Sequence, residues 1–169
     1  MKLSWTLSRL TTSTVKEPIR RLDGREHSSM EAKPVRFVVA GLIVREGDGP
    51  AREVLICQRR QDQPMSLKWE FPGGKIEAGE SSEAALAREL NEELGIDAVI
   101  GRRVANVRHK YRNGGAIDLQ FFLVESFAGD VQNLIFNEVR WSPLASLPGF
   151  DFLAADLGLI RDLSEGKLI

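Results

Sequence analysis

The sequence has few of the features that mark secreted, membrane-spanning or nucleic-acid-binding proteins. Its 169 residues include a single cysteine, and the formal net charge is −1. Lone Cys57 excludes an internal disulfide, which fits a reducing compartment. No apolar run approaches the roughly 18 residues that span a bilayer, and the balanced charge creates no field toward nucleic acid or an anionic membrane. We therefore expect a cytoplasmic protein that binds neither membrane nor nucleic acid stably.

The first part of the chain differs from the rest in its charge. Residues 1–34 contain seven Lys or Arg and four Asp or Glu, a balance of +3 that leaves −4 for the remainder. Leucines at roughly helical spacing in this basic start are compatible with an organelle-targeting peptide. A disordered tail, or a true start of translation at Met30, explains the same features. We treat residues 1–33 as a flexible N-terminal extension and residues 34–169 as the folded domain.

Beyond this extension, apolar and β-branched runs alternate with turn residues. The predicted strands are residues 35–45, 53–58, 69–71, 99–111, 116–127 and 138–141. One helix should start at Ser81 or Ser82 and end at Gly95. A closing helix is predicted over residues 151–163, with Leu153, Leu157 and Ile160 on its inner side. Mixed strands with two helices predict an α/β sandwich, in which helices cover both faces of a mixed sheet.

Three glutamates near the middle of the chain are spaced in a way that weakens a helix. Glu89, Glu92 and Glu93 stand at i, i+3 and i+4, so a helix places their carboxylates on one face as neighbours. Like charges at this spacing repel each other, and a cation between them would offset the repulsion. Carboxylate oxygens suit Mg²⁺ or Mn²⁺, and Mg²⁺ in proteins usually bridges a few carboxylates to substrate phosphates. The spacing therefore predicts a metal-dependent enzyme with a phosphorylated substrate.

The acidic face of this helix should be held rigidly toward a glycine loop. Leu86, Leu90 and Leu94 form an i, i+4, i+8 stripe, displaced from the glutamates by about a quarter-turn. This stripe should pack on the sheet. Gly73 and Gly74 follow a short strand, and their lack of side chains lets the backbone approach a ligand closely.

Residues 74–96, GKIEAGESSEAALARELNEELGI, resemble the Nudix box at every defined position of that motif. The resemblance is specific, because seven fixed and two aliphatic positions match at fixed spacing. The segment 68–77, KWEFPGGKIE, is similar to the entry to the box in the MutT branch of the family, which cleans nucleotide pools. The likeness covers about residues 35–163 and implies a Nudix-type α/β/α sandwich, with the box as a loop, a helix and a loop.

The resemblance implies hydrolysis of a nucleoside diphosphate linked to a further group, with water attacking phosphorus. In the MutT branch that group is phosphate, so a triphosphate yields a monophosphate and pyrophosphate. Carried onto this chain, the resemblance implies that Glu89, Glu92 and Glu93 bind Mg²⁺, helped by a backbone carbonyl of Gly73 or Gly74. Such a metal neutralises charge on the bridging oxygens and lowers the pKa of bound water.

Three further residues receive roles from the same resemblance. Arg88 would orient Glu89 or pair with Glu92 one turn on, and Glu80 would tie the loop to the helix. Glu138 is a candidate extra ligand or general base, because related enzymes carry a glutamate in the corresponding late strand. An ordinary exposed glutamate is the alternative interpretation of Glu138.

Residues beside the box are candidates for substrate binding. Arg59 and Lys75 are the predicted phosphate contacts, by resemblance and by their positions at a strand end and in a loop. Glu70 and Phe71 belong to the segment that enters the box and are also predicted to contact the substrate. The ring of Phe71 could stack on a base or belong to the core.

The predicted closing helix departs from the MutT branch at one position. In the MutT enzyme for oxidised guanine an asparagine there reads the purine edge, and this chain has Asp156, in FLAADLGLI. Ionised aspartate only accepts hydrogen bonds. An acceptor suits the amine of cytosine or adenine, or the N1–H and N2–H₂ edge of guanine. A protonated Asp156 could also donate if burial raised its pKa, and an exposed helix residue is the alternative.

Together these features predict a Mg²⁺-dependent nucleoside triphosphate pyrophosphohydrolase, with modified deoxynucleotides such as 8-oxo-dGTP as the leading substrate class. Cytidine-type triphosphates and other nucleoside diphosphate derivatives are the alternative substrates. The alternative of another class is a non-catalytic, nucleotide-sensing Nudix module. Such modules usually lose a box glutamate, and this chain retains all of them. The expected partner is therefore a nucleotide, and a monomer and a homodimer both fit.

Overall fold

The structure is a computed structural model that describes residues 34–47, 51–112 and 114–169. The predicted N-terminal extension lies outside the described residues. The helices and strands in chain order are β1 Val35–Leu42, β2 Val44–Glu46, β3 Arg52–Gln58, β4 Trp69–Glu70, β5 Gly73–Lys75, α1 Ser82–Leu94, β6 Asp97–Lys110, β7 Ala116–Ala128, β8 Glu138–Pro143, a 3₁₀ helix Leu144–Gly149, and α2 Leu157–Ser164. Within the described residues no helix is long and apolar enough to cross a membrane.

The strands of the described residues form two four-stranded sheets. The first has the order β5-β1-β7-β6 and is mixed, because β1 pairs with β7 in parallel while the other pairs are antiparallel. In the second sheet β3 pairs antiparallel with β2, β4 and β8. This mixed α/β arrangement confirms the predicted fold class.

Alternating side chains of the central strands fill two hydrophobic clusters, one beneath each helix. On β1, Val39 faces the cluster that contains the buried leucines of α1, and Ala40 faces the cluster that contains the buried residues of α2. Strand β3 divides in the same way, with Leu55 on the α1 side and Ile56 on the α2 side. Successive side chains of a strand point to opposite faces, so the strands form the middle layer between the two helices.

The sequence signals at both ends of α1 are realised in the structure. Ser81 is the N-cap, and its hydroxyl accepts a 3.1 Å hydrogen bond from the backbone N–H of Ala84. Gly95 ends the helix with a φ of 69°, in the left-handed region that glycine tolerates. The predicted stripe of leucines is fully buried, at positions 86, 90 and 94. The packing of these leucines fixes the orientation of α1, so that its glutamates face β5.

Two predictions about secondary structure are wrong. Residues 73–75 form a strand, where a loop was expected, because they pair with residues 38–40 of β1. The closing helix starts at Leu157 instead of residue 151. The backbone before it is already used, since Trp69 donates to the carbonyl of Asp151 and accepts from the N–H of Leu153.

The inner side of the closing helix also differs from the prediction. Leu157 is 55% exposed, and the buried residues of α2 are Leu159, Ile160 and Leu163. The predicted inward-facing residues are wrong because the predicted helix starts several residues too early, which rotates the set of side chains that face the core. Only Ile160 keeps its predicted place.

Leu67 provides a test of backbone strain. Its φ is 58° and the residue is 41% exposed. The left-handed backbone costs a non-glycine residue about 1–2 kcal/mol. We expect Leu67→Gly to leave the free energy of unfolding unchanged or to raise it by up to about 1 kcal/mol, measured by chemical denaturation. Arg161→Gly, at an exposed position inside α2, is the control and should cost about 1 kcal/mol. Equal losses would contradict the strain argument.

Candidate active site

The box glutamates lie against the glycines of β5. Glu93 accepts a 2.9 Å hydrogen bond from the backbone N–H of Gly73. Gly74 faces the carboxyl group of Glu89 so closely that a Cβ would stand 2.3 Å from the Glu89 Cδ. The two glycines therefore let the backbone of β5 contact the acidic face of α1.

Arg88 joins the loop of the box to the helix. Its Nε and Nη2 donate to the two carboxylate oxygens of Glu80, at 2.8 and 3.0 Å. Its Nη1 lies 3.0 Å from Glu89 and 3.5 Å from Glu92, and Nη2 also donates to the Lys75 carbonyl at 3.1 Å. The hydrogen bonds from Arg88 and from the backbone of residue 77 lower the pKa of Glu80 to about 2. The structure thus places Arg88 and Glu80 in the contacts that the resemblance implied.

The acidic face of α1 combines burial with repulsion between its carboxylates. The pKa of Glu93 is raised to about 8: burial is the largest cause, repulsion from Glu89, Glu70 and Glu92 adds to it, and the hydrogen bond from Gly73 acts against it. No three His, Cys, Asp or Glu side chains in the described part of the chain are already arranged around one point. Arg88 holds Glu89, and Glu92 is largely exposed. The hard oxygen donors and their mutual repulsion nevertheless fit a divalent cation.

A cavity of about 280 Å³ opens beside the box. Five residues predicted from the sequence line it, namely Arg59, Glu70, Phe71, Gly73 and Asp156. The cavity reaches the box at Gly73, whose N–H binds Glu93. A ligand in the cavity would therefore lie next to the acidic face of α1.

Arg59 and Glu70 form an ion pair at the side of this cavity. Nη1 of Arg59 lies 3.0 and 2.8 Å from the two carboxylate oxygens of Glu70. Nε of Arg59 donates to the carbonyl of Pro64 at 3.0 Å. Burial raises the pKa of Glu70, while the charge and hydrogen bonds of Arg59 lower it. Arg59, the predicted phosphate contact, is thus paired with Glu70, which was also predicted to contact the substrate.

Asp156 is only 3% exposed, so the alternative of an exposed helix residue is wrong. It is the N-cap residue of α2, but its side chain makes no capping hydrogen bond. Burial raises its pKa to about 8, with a further contribution from the charge of Glu70. The cavity is therefore lined by one partly buried carboxyl group from β4, that of Glu70, and one buried carboxyl group from the start of α2, that of Asp156.

Of the remaining predicted site residues, one packs in the hydrophobic core and two lie outside the lining of the cavity. Phe71 is buried and packs against Phe152, with ring centroids 5.6 Å apart, while one side of it lines the cavity. Lys75 is exposed and is not part of the lining. Glu138 pairs with Arg140 of its own strand at 2.6 Å, away from the cavity lining.

The cavity also contains residues that sequence reasoning did not assign to the site. Arg36 lines it together with Val38 and Ala40, its neighbours on one face of β1. Met65 lines it from the loop between β3 and β4. Alternation along β1 predicts that the three strand residues share a face. It does not predict which face borders a cavity, since both faces of β1 are largely apolar.

Gly73 and Gly74 allow the fold and the acidic site to be tested separately. A Cβ at Gly74 would meet the end of a flexible glutamate, whereas at Gly73 it would lie 2.2 Å from the Val39 carbonyl oxygen, with a φ of 147°. We expect Gly74→Ala to keep the melting temperature nearly unchanged while displacing Glu89 and reducing turnover strongly. Gly73→Ala should lower the melting temperature clearly. The reverse order would show that the close approach at Gly74 is not required.

Asp156 should make stability depend on pH. Its pKa is about 8 when folded and 3.8 in the reference state, so the folded chain binds the extra proton between these values. Stability of the wild type should therefore fall as pH rises from about 4 to about 8. We expect Asp156→Asn to be neutral near pH 4 and stabilising by roughly 2–4 kcal/mol near pH 8. Denaturant titrations at both pH values, with the exposed Asp130→Asn as control, measure this; a pH-independent difference would contradict it.

Comparison with known proteins identifies the family. Residues 35–163 match the model of the NUDIX domain, and the chain belongs to this family. It is a MutT-like Nudix hydrolase, an enzyme that acts on phosphoric anhydrides. Nudix hydrolases generally use divalent metals such as Mg²⁺.

Three relatives illustrate the similarity. The CTP pyrophosphohydrolase of Escherichia coli (strain K12) is 35% identical over 124 residues, which cover 73% of this chain and 87% of the relative. The 8-oxo-dGTP diphosphatase of the same strain is 34% identical over 128 residues, covering 76% and 95%. The crystal structure of a MutT protein from Methanosarcina mazei Go1 is similar with a TM-score of 0.68 and 26% identity, covering 79% and 96%.

Proposed function

We propose that this Nudix enzyme is a Mg²⁺-dependent nucleoside triphosphate pyrophosphohydrolase that releases pyrophosphate and a nucleoside monophosphate. The observation that supports this most directly concerns Gly73, which lines the cavity and also binds Glu93. A base in the cavity would therefore leave its phosphates next to the carboxylates of α1. In this proposal the enzyme acts on the free nucleotide pool of the cytoplasm, as a monomer or a homodimer.

In this proposal some residues of the box bind the metal, and others keep the metal ligands in position. Glu89, Glu92 and Glu93 would hold Mg²⁺, with a carbonyl of Gly73 or Gly74. A bound Mg²⁺ neutralises charge on the bridging oxygens and makes water a better nucleophile. Arg88 keeps Glu89 in place through its 3.0 Å contact, because Glu80 fixes the same guanidinium from the other side.

Two other charged residues have less direct support. Exposed Lys75 follows the glycines in β5, where its ammonium group could reach the phosphates. Glu138 would have to leave Arg140 before it could serve as a metal ligand or general base. We retain both as proposed site residues, and the box glutamates as the essential ones.

The leading substrates are oxidised deoxynucleotides such as 8-oxo-dGTP, in line with the name of the E. coli diphosphatase to which the chain is similar. Cytidine-type triphosphates are the second candidate. They are favoured by the similarity to the E. coli CTP pyrophosphohydrolase and by the two carboxyl groups in the cavity, which suit an exocyclic amine. Asp156 contributes one of these groups in either case.

A panel of triphosphates tests the reaction and the substrate together. Pyrophosphate release would be measured with Mg²⁺ for ordinary and oxidised nucleotides, including 8-oxo-dGTP, dGTP, CTP and dCTP. We expect one base to be preferred clearly in kcat/KM. If no nucleotide is hydrolysed, the proposed function is wrong, and the nucleotide-sensing alternative is favoured.

Glu93→Gln separates the role of a carboxylate in the reaction from its role in the fold. The amide keeps an acceptor for the Gly73 N–H and cannot ionise in its buried position, so the melting temperature should stay the same or rise. Turnover should fall by orders of magnitude, as for Glu92→Gln, because the metal loses a charged ligand. Glu83→Gln, at an exposed position on the same helix, is the control. Normal turnover in Glu93→Gln would contradict the assignment of the metal site.

A further inference from the structure

Two of the three guanidinium nitrogens of Arg59 are already engaged by other groups. Its Nη1 contacts both oxygens of Glu70, and its Nε donates to Pro64. Only Nη2 has no partner among the described residues. Binding of an anion by a guanidinium fork uses two adjacent N–H groups in parallel. A fork that included Nε or Nη1 would compete with Pro64 or Glu70 for the same donor nitrogen.

The surroundings of Arg59 hold it in this position. Residues 57 and 58 of β3 pair with residues 70 and 69 of β4, so Arg59 follows the last pair of this ladder. Its backbone N–H donates to the Lys68 carbonyl at 3.0 Å. The side chains of Arg59 and Glu70 are 23% and 18% exposed. An ion pair that is largely shielded from water and fixed at both ends is difficult to exchange for a transient phosphate contact.

Glu70 lines the cavity together with Asp156, so its carboxylate borders the space proposed for the base. Burial of Glu70 opposes its ionisation, and Arg59 is the cation that counters this effect. Removal of Arg59 would therefore change both the charge and the direction of the Glu70 carboxyl group. It would leave the phosphate end of the site, at Gly73 and α1, untouched.

We propose that Arg59 is a positioning residue that holds Glu70 as a hydrogen-bond acceptor for an amino group of the base, and that it is not a phosphate ligand. This inference rests on the proposed nucleotide site. It names the substrate class as nucleotides whose base carries an exocyclic amine. Matched bases without that amine should be poorer ligands, because uracil would turn a carbonyl oxygen, and hypoxanthine a C–H group, toward the Glu70 carboxylate.

The test compares bases that differ at one group. Affinities for CMP against UMP, and for dGMP against dIMP, would be measured by calorimetry, together with kcat and KM for the corresponding triphosphates. We expect the wild type to prefer the amino-bearing member of at least one pair roughly tenfold or more. Arg59→Gln and Glu70→Gln should each lose most of that preference, and the double variant should lose no more than either single variant.

The controls keep this test decisive. Arg59→Lys keeps the charge but loses the hydrogen-bonded fork, so it should recover only part of the preference. Arg60→Gln, whose exposed side chain pairs with Asp62, should leave both preference and turnover unchanged. Circular dichroism of each variant would show that the fold is retained.

Each remaining outcome has one meaning. If Arg59→Gln weakens all nucleotides equally, and does so again in the Glu70→Gln background, Arg59 is a phosphate ligand and the inference is wrong. If the wild type shows no preference within either pair, or does not bind the monophosphates, the inference is also wrong. If monophosphates bind with the expected preference but no triphosphate is hydrolysed, the proposed function fails while the role of Arg59 stands.

Discussion

The site depends on the contact between a glycine strand and the acidic face of a helix. The N–H of Gly73 binds Glu93, and Gly74 leaves room for Glu89. The contact requires α1 to lie close to β5, and the buried leucines of the helix hold it there. Because the glutamates repel one another, the helix needs this packing to keep them together. Hydrophobic burial on one face of α1 thus stabilises an arrangement that electrostatics alone would oppose.

Charge is distributed differently at the two ends of the cavity. Near the box, Arg88 contacts Glu80, Glu89 and Glu92, so the carboxylates are ordered by a single guanidinium. At the other end, Arg59 pairs with Glu70, and no basic side chain in the described part of the chain pairs with Asp156. Both arginines act through carboxylates. The difference is that Arg88 orders groups suited to a metal, whereas Arg59 orders a group suited to hydrogen bonding.

Local signals in the sequence predicted α1 and its surroundings well. Ser81, Gly95 and the leucine stripe act within one helix, so their positions can be read from spacing. The strand at residues 73–75 could not be predicted in this way, because it exists only through pairing with β1. The late start of α2 has a similar cause, since Trp69 takes up the backbone groups of residues 151 and 153. The pairing of Arg59 with Glu70 likewise follows from the register of β3 and β4.

The two backbone hydrogen bonds of Trp69 have a consequence for how such enzymes can diverge. They align the segment before α2 with β4, so the neighbour of Trp69, Glu70, and the distant Asp156 meet in one cavity. The box lies in a separate stretch of chain. Loss or gain of one residue between positions 153 and 156 would shift Asp156 out of alignment with Glu70 and leave the helix of glutamates intact. If the cavity holds the base as proposed, small changes in length near the C-terminal helix would alter substrate range and leave the box unchanged.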